Sequence, residues 1–524
     1  MKIYLAHDTD TLRTISRKCK VDLVSLISFN SHIKSPDMNI AGMQVKLPDS
    51  LDFNEQWIPL TSLDEMEKTV YDVLIVGTGA GGGAVLWRLI KQLQNSGKRV
   101  GIVERGGLLL PTHAWNIATM NERFGAYFRS VADTPPQFQS PQVYALGGRT
   151  LFWSVASPRM PTSEIAQWPV TLKEMDFYYG LAEKALSVTY SFTKEASITQ
   201  MLLNRLQMNG FPESTDEPLA IDLEQTKNGV IRSNPFFSTL VLFAQALNYP
   251  FDLAVNARAV KVLIEKDRAV GVQVMTPDKR SYFLKAKNVV LSASTLGSPQ
   301  ILLNSDIPGR AIGHYLVGHS RVNATGVVIR DEFPEVLGPL SILVPGTEHR
   351  PYQIQIRGPG DYIWVQYQEQ PLKKEWEVNF YASGRVESRY ENKVFLDPVK
   401  RDSYGMPELQ IRFSYSGEDE IVIGQMAEGI LKAASAMKVP LIERENGSVF
   451  SLSPPGVENH ETGTCRMGDN PLTSATDRYG QIHGIRGLYV ADNSVIPTSG
   501  TANPTLTTVA LAIRTADYIV QQLK

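Results

Sequence analysis

The residues whose types and spacing carry the clearest chemistry are the run Gly77-Thr78-Gly79-Ala80-Gly81-Gly82 and one carboxylate beyond it, Glu104. Gly77 suits a tight turn, Gly79 lets the backbone approach a pyrophosphate, and Gly82 lets a helix pack closely on the preceding strand with its N-terminus toward the phosphates. Glu104 stands where a carboxylate accepts hydrogen bonds from an adenosine ribose. The pattern points to a bound dinucleotide and leaves FAD and NAD open. Two further candidates lie near the C-terminus: His460-Glu461-Thr462-Gly463-Thr464-Cys465-Arg466-Met467-Gly468 and Asn503-Pro504. On residue type alone His460 is one of eight histidines in a glycine-rich turn. Asn503 and Pro504 read as the N-cap and first residue of a terminal helix carrying Leu506, Val509, Leu511 and Ile513.

The glycine run needs a strand before it and a helix after it. Tyr71-Asp72-Val73-Leu74-Ile75-Val76 has the composition of a buried strand, the apolar pattern over 82–95 predicts the helix, and 100–104 predicts the strand that ends at Glu104. Further strands are expected at 251–255, 260–265, 269–276, 289–292 and 487–491, and helices at 171–187 and 298–304. The stretch 320–415 is richer in β-branched and aromatic residues and predicts a sheet of its own. The alternating aromatics Trp364, Tyr367, Trp376 and Tyr381, with Trp153, read as core. The fold class is α/β (α+β overall), a Rossmann-type dinucleotide-binding domain with a β-sheet substrate domain, preceded by a small βααβ unit.

The 524 residues are enough for several domains, and 43% hydrophobic with 20% charged residues excludes a disordered chain. A formal charge of −2 gives no pull on nucleic acid or an anionic membrane. Cys19 and Cys465 form no disulfide framework, and no Cys/His spacing suggests a metal. The segment 70–90 contains Asp72, Arg88 and several glycines, so it reads as strand, turn and helix rather than a membrane span. No apolar leader precedes His7, and the protein is expected to be cytoplasmic.

Residues 1–50 hold an apolar start at Ile3 and Leu5, helical patterns at Leu12, Ile15, Val21 and at Leu23, Leu26, Ile27, and a closing strand 44–47. This βααβ pattern resembles a LysM module. The resemblance implies binding of an N-acetylglucosamine-type glycan, and hence cell-wall or spore association; with no secretion route, a role in oligomerisation is the competing reading. Residues 51–69 are acidic and read as a linker.

From 70 onward, the glycine run, Gly147-Gly148-Arg149-Thr150-Leu151-Phe152-Trp153-Ser154, Leu291-Ser292-Ala293-Ser294-Thr295-Leu296-Gly297-Ser298-Pro299-Gln300, the His460 run and Asn503-Pro504 occur in the order that resembles the glucose-methanol-choline (GMC) oxidoreductases. The run 147–158 is most similar to pyranose 2-oxidases and bacterial glycoside 3-oxidases. The resemblance implies an FAD-binding domain assembled from 70–319 and 441–524, with a substrate-binding domain at 320–440. It implies FAD against Gly77, Gly79, Ala80 and Gly82, with Glu104, Arg105 and Val260 toward the adenosine end. Gly148, Thr150, Trp153 and Ser154 would lie beside the flavin ring, Asp492 against the ribityl or pyrophosphate part, and Pro504 and Thr505 at a helix N-terminus favouring negative charge on a reduced flavin. Phe152 stands where fungal pyranose oxidases carry the flavin-linking histidine, which implies non-covalent FAD.

The resemblance further implies oxidation of a sugar or glycoside ring hydroxyl, at C3 or C2, to a ketone. His460 would be the general base, suited by an ordinary pKa of ~6.5, and Asn503 the partner of the substrate oxygen. The electron acceptor, O2 or another, stays open, as does a non-sugar alcohol substrate. A different class of reading makes the chain a glycan-binding protein with the flavoprotein as scaffold. His7, His32, His113, His349 and His483 are expected to be structural or at the surface, and His319, in Gly318-His319-Ser320, matches a family position without derivable chemistry.

Overall fold

The computed structural model describes residues 2–19, 23, 26, 27, 30, 32–47, 57–117, 138–224, 235–334, 338–358 and 373–524. The chain divides into two units, Met1–Leu60 and Thr61–Lys524.

In the first unit the strand Lys2–Leu5 pairs antiparallel with Gln44–Leu47, and the helix Leu12–Cys19 packs through Leu12 and Ile15. Leu26, Ile33, Ile40 and Val45 complete a small core. Two buried polar side chains staple it: Asp10 accepts from Tyr4 Oη, the His7 amide and Lys18 Nζ, and Asn30 bridges Leu26 and Lys46. The expected second helix falls partly outside the described residues, although Leu23, Leu26 and Ile27 are helical.

The second unit is built on a parallel five-stranded sheet in the order Leu488–Val490, Val289–Leu291, Val73–Val76, Val100–Val103, Asp252–Ala254. Continuous apolar runs suit strands buried on both faces. The helix after the glycine turn spans Ala80–Leu93, two residues earlier than the apolar pattern suggests, because its first turn is glycine and carries no side-chain signal. Gly77 takes φ 98°, open to glycine at little cost. A Cβ on Gly81 would lie 1.8 Å from the Ala491 carbonyl oxygen, so the helix rests directly on neighbouring backbone. The expected linker is also ordered toward its end: Leu63–Glu67 is a short helix with a Ser62/Glu65 capping box, and Val70–Tyr71 joins a four-stranded sheet.

The second large sheet is antiparallel, in the order Ser451–Leu452, Ser320–Ile329, Glu375–Gly384, Tyr352–Gly358, Leu340–Val344, Thr215–Asp216. It therefore recruits short strands from outside 320–440. Val322, Ala324, Ile354, Ile356, Val378 and Phe380 turn one face onto the helices Ser197–Met208 and Gly417–Met437. Residues 393–412 do not join this sheet but form a separate hairpin, Lys393–Arg401 with Pro407–Arg412. Trp376 is core, stacked on Phe333; Trp364 and Tyr367 lie outside the described residues.

Because the glycine helix lies on bare backbone, Gly81→Ala is expected to cost about 3 kcal/mol or more. Gly180→Ala, in the helix Leu172–Leu186 with nothing within 4 Å of the added Cβ, is expected to gain about 0.5–1 kcal/mol. Urea melts of the two variants against the parent measure both.

Candidate active site

A cavity of about 890 Å³ runs between the parallel sheet and the antiparallel one. At one end it is walled by the glycine turn from Gly77 to Gly81, by Glu104 and Arg105, and by Ala257, Arg258 and Ala259. At the other end stand His460 and Asn503, facing Arg321, Gln355, Arg357 and Tyr381 of the antiparallel sheet.

The turn end fits a dinucleotide. Gly79 has nothing within 4 Å of where a Cβ would stand, so its bare backbone faces open space, and a Cβ on Gly148, itself at φ 53°, would lie 3.3 Å from Gly79 Cα. The helix beginning at Ala80 has no side-chain N-cap bond, leaving first-turn N–H groups for an anion. Ala80, Thr150, Trp153, Ser154 and Thr505 also line the cavity, as does Phe152, which offers no nucleophile. The Trp153 indole N–H donates to the Phe237 carbonyl.

Two expected ligand contacts are engaged within the chain. Glu104 accepts from the Thr78 amide (3.0 Å), Thr78 Oγ1 (2.6 Å) and the Gly106 amide (2.9 Å), and burial raises its pKa. Asp492 accepts from the amides and hydroxyls of its serine neighbours, Ser294 N (3.0 Å), Ser298 Oγ (2.5 Å), Ser494 N (2.9 Å) and Ser494 Oγ (2.5 Å), and burial raises its pKa too. Both carboxylates thus shape the cavity wall by holding loops. Val260 and Pro504 are not among the lining residues; Arg258, Ala259 and Thr505 beside them are.

At the other end the side chains form a directional ladder. Paired backbone bonds between Val317 and Thr462 lay the two histidine-bearing segments side by side. Asn459, at φ 57°, turns the chain just before His460, a conformation asparagine tolerates. His319 Nε2 is 3.1 Å from the Ser499 carbonyl oxygen, which can only accept, so this nitrogen carries the proton. His319 Nδ1 is then an acceptor, and His460 Nδ1, 2.9 Å away, must donate to it. The lone pair of His460 is thereby placed on Nε2, where Asn503 Nδ2 approaches at 3.2 Å. Gln353 Nε2 donates to Asn503 Oδ1 at 2.8 Å and sets that amide.

The expectation that Asn503 caps the terminal helix does not hold. The helix spans Thr505–Leu523 with Pro504 at its cap and no side-chain cap bond. The Asn503 amide is drawn instead into the ladder, where a buried donor and acceptor are both satisfied.

Burial first, then the charges of His319, Arg321, Arg149 and Arg357, hold the His460 pKa well below its ordinary 6.5. The imidazole is neutral across the neutral range, as a base must be. Each arginine has its own carboxylate. Arg321 Nη1 is 2.6 Å from Glu458, Arg149 Nη2 is 2.5 Å from Glu461, and Arg357 Nη2 is 2.6 Å from Glu217. Glu217 also accepts from Ser341 and Gln355. Tyr381, read as core from its alternation, lines the cavity under the Arg321 guanidinium, 4.4 Å from its ring centre.

Sequence reasoning missed His319, Gln353, Gln355, Arg357 and Glu217. A signal existed for three of them: Tyr352-Gln353-Ile354-Gln355-Ile356-Arg357 alternates strictly, which marks a strand with one polar face. His113 is structural as expected, buried, with its amide bond from Trp115 and its ring bond to the Trp153 carbonyl. Among the described residues no cluster suited to a metal occurs, and no described helix is long and apolar enough to cross a membrane.

Comparison with known proteins gives the same outline. The N-terminal region of the GMC oxidoreductase family matches residues 71–321 and its C-terminal region matches 388–512. The C-glycoside 3-oxidase of Arthrobacter globiformis is 29% identical, over 72% of this chain and 74% of that protein. The 2-methyl-1,2-propanediol dehydrogenase of Mycolicibacterium austroafricanum is 24% identical, over 86% and 95% respectively. A solved formate oxidase from Aspergillus oryzae RIB40 shares the fold, with a TM-score of 0.66 at 14% identity over 87% of this chain and 98% of that one.

Burial lowers the pKa of both His113 and His319 to about 4. Below pH ~6.5 the unfolded chain takes up protons that the folded chain refuses until about pH 4, so stability present above ~6.5 is lost as pH falls through that window. In urea melts at pH 6 and 5, His113→Gln is expected to reduce the slope of stability against pH by about 1 kcal/mol per unit. An unchanged slope would show that His113 is protonated in the folded state.

Proposed function

The chain belongs to the GMC oxidoreductase family, FAD-dependent enzymes acting on CH–OH donors, and on that premise we propose that it oxidises a secondary ring hydroxyl of a sugar or glycoside to a ketone. Glycoside C3 is the first choice and free-sugar C2 the second. The observation that carries this reading is the polar cavity face of the antiparallel sheet. Arg321, Gln355, Arg357 and Tyr381 stand opposite His460 and Asn503, offering several fixed hydrogen-bonding groups to a ligand with several hydroxyls. A C-glycoside 3-oxidase among the relatives supports the same class, while the diol dehydrogenase keeps a small non-sugar alcohol as the alternative.

FAD, when bound, supplies the two-electron acceptor for the hydride on the carbinol carbon. The chain supplies the rest. His460 Nε2, unprotonated and facing the cavity, takes the hydroxyl proton, and the Asn503 amide N–H turns from the imidazole to the substrate oxygen. Gln353 keeps the amide in the orientation that presents this donor. The paired arginines orient the remaining hydroxyls without a net charge facing the imidazole. The N-terminus of the helix Thr505–Leu523 contributes positive potential at the cavity wall. Gly77, Gly79 and Ala80 would hold the pyrophosphate, with Arg105 and Glu104 toward the adenosine; Gly82, expected beside them, is not among the lining residues and packs against the Gly77 carbonyl instead. With Phe152 in place of a linking histidine, FAD is held without a covalent bond.

Residues 1–50 resemble a LysM module in sequence, their strand pair and small core are compatible with that reading, and we read them as a site for N-acetylglucosamine-type glycans. Co-sedimentation of the full chain with chitin or peptidoglycan tests this, and recovery entirely in the supernatant would remove it.

The principal experiment is anaerobic mixing with glucose, glycosides, a sterol and choline while recording flavin absorbance, followed by NMR of the product. Bleaching by glycosides with a new C3 carbonyl is expected; bleaching by non-sugar alcohols alone would overturn the reading. His460→Ala should lower the rate of flavin reduction by about 10²–10⁴-fold with FAD content retained. Acid precipitation should leave the flavin in the supernatant, whereas a yellow pellet would mean a covalent link.

A further inference from the structure

The reading of His460 as base leaves the positive charge it acquires without a place to go. The ring is buried, and the charged groups facing it are Glu458, 4.0 Å from Nδ1, Arg321, Arg149 and Arg357. Glu458 is taken up by Arg321, Glu461 by Arg149 and Glu217 by Arg357. No carboxylate accepts a hydrogen bond from His460; the second ring does, through a 2.9 Å contact between the two Nδ1 atoms.

Resting on that reading, we propose that His319 is a proton relay, receiving the Nδ1 proton of His460 as the substrate hydroxyl proton arrives on His460 Nε2. The substrate O–H bond breaks and an Nε2–H bond forms on His460. The Nδ1–H bond of His460 breaks and an Nδ1–H bond forms on His319. His460 ends neutral with its proton on the cavity side, and His319 ends as the imidazolium, its Nε2–H still donating to the Ser499 carbonyl oxygen at 3.1 Å. The hydride and its electron pair leave on the carbinol carbon to the family's flavin, so no further oxidant is needed for this step. The charge moves off the ring that Arg149 and Arg357 face and comes to rest against a carbonyl dipole, although Arg321 faces His319 as well. The pair resets when His460 gives up its Nε2 proton to the electron acceptor, oxygen or another, as that acceptor takes the two electrons, and the Nδ1 proton returns from His319 to His460.

Two neutral rings in series differ from a single base held by an amide, and the difference is measurable. Asparagine at position 319 places a carbonyl oxygen near the Nδ1 position, so it can hold the His460 tautomer but cannot take its proton. The relay predicts that His319→Asn keeps FAD content and keeps KM within about threefold while flavin reduction falls by about 10- to 100-fold at pH 7. The loss should shrink as pH rises from 7 to 9 and the alcohol gives up its proton more readily, whereas the parent stays level. A wild-type rate, or a loss equal at every pH, would overturn the relay and leave His319 with a structural role. Nitrogen NMR of the ¹⁵N-histidine-labelled parent holoenzyme provides a readout free of substrate. Protonated Nδ1 on His460 with protonated Nε2 on His319 supports the ladder, and protonated Nε2 on resting His460 overturns it. The kinetic arm uses whichever alcohol reduces the parent, sugar or not, so failure of the sugar assignment is seen separately.

Discussion

The charges of Arg149, Arg321 and Arg357 add to burial in keeping the His460 imidazole neutral, and the wall can hold three shielded arginines because each is matched. Arg149, Arg321 and Arg357 are held at 2.5–2.6 Å by Glu461, Glu458 and Glu217, and these carboxylates are almost wholly shielded from water. An unmatched buried charge costs several kcal/mol. These three arginines are therefore answered inside the wall that faces His460. The groups fixed in this way line the cavity with His460 and Asn503. The Arg321–Glu458 pair also joins the antiparallel sheet to the C-terminal segment, and Arg149–Glu461 joins that segment to the stretch that follows the glycine turn.

The antiparallel sheet serves two purposes through a single periodicity. Along Ser320–Ile329, Tyr352–Gly358 and Glu375–Gly384, one set of side chains packs against the two long helices, and the intervening set carries Arg321, Gln353, Gln355, Arg357 and Tyr381. A slip of one residue would exchange the sets, placing arginine in the core and isoleucine in the cavity. Register in this sheet is therefore a requirement of stability and of chemistry together. On the opposite side of the cavity the glycine turn rests on bare backbone: a Cβ on Gly77, Gly81 or Gly82 would lie within 2.3 Å of a carbonyl oxygen.

Much of the parallel domain was legible beforehand. The strands at 73–76, 100–103 and 289–291 and the helices at 80–93 and 172–186 lie within a few residues of where apolar period and capping residues place them. The motif around His460 lies at this cavity, and it was singled out only through a resemblance; by residue type it was one histidine among eight. His319 had no visible role because its partner lies 141 positions away in the chain. Asn503 was misleading for the opposite reason: a strong local signal, asparagine before proline, was overruled by Gln353 and His460, which offer its amide better-satisfied partners than the helix end does.

From the amino-acid order alone came the elements, the dinucleotide turn and the family, because these depend on interactions within a few residues of each other: backbone dihedrals, apolar period, turn chemistry. The tertiary structure alone decided which nitrogen of His460 is free, which carboxylate answers which arginine, and which partners hold the Asn503 amide. Those choices follow from distances between segments far apart in the chain. A hydrogen bond is made only where folding brings donor and acceptor to about 3 Å with the right orientation, and no local pattern records that.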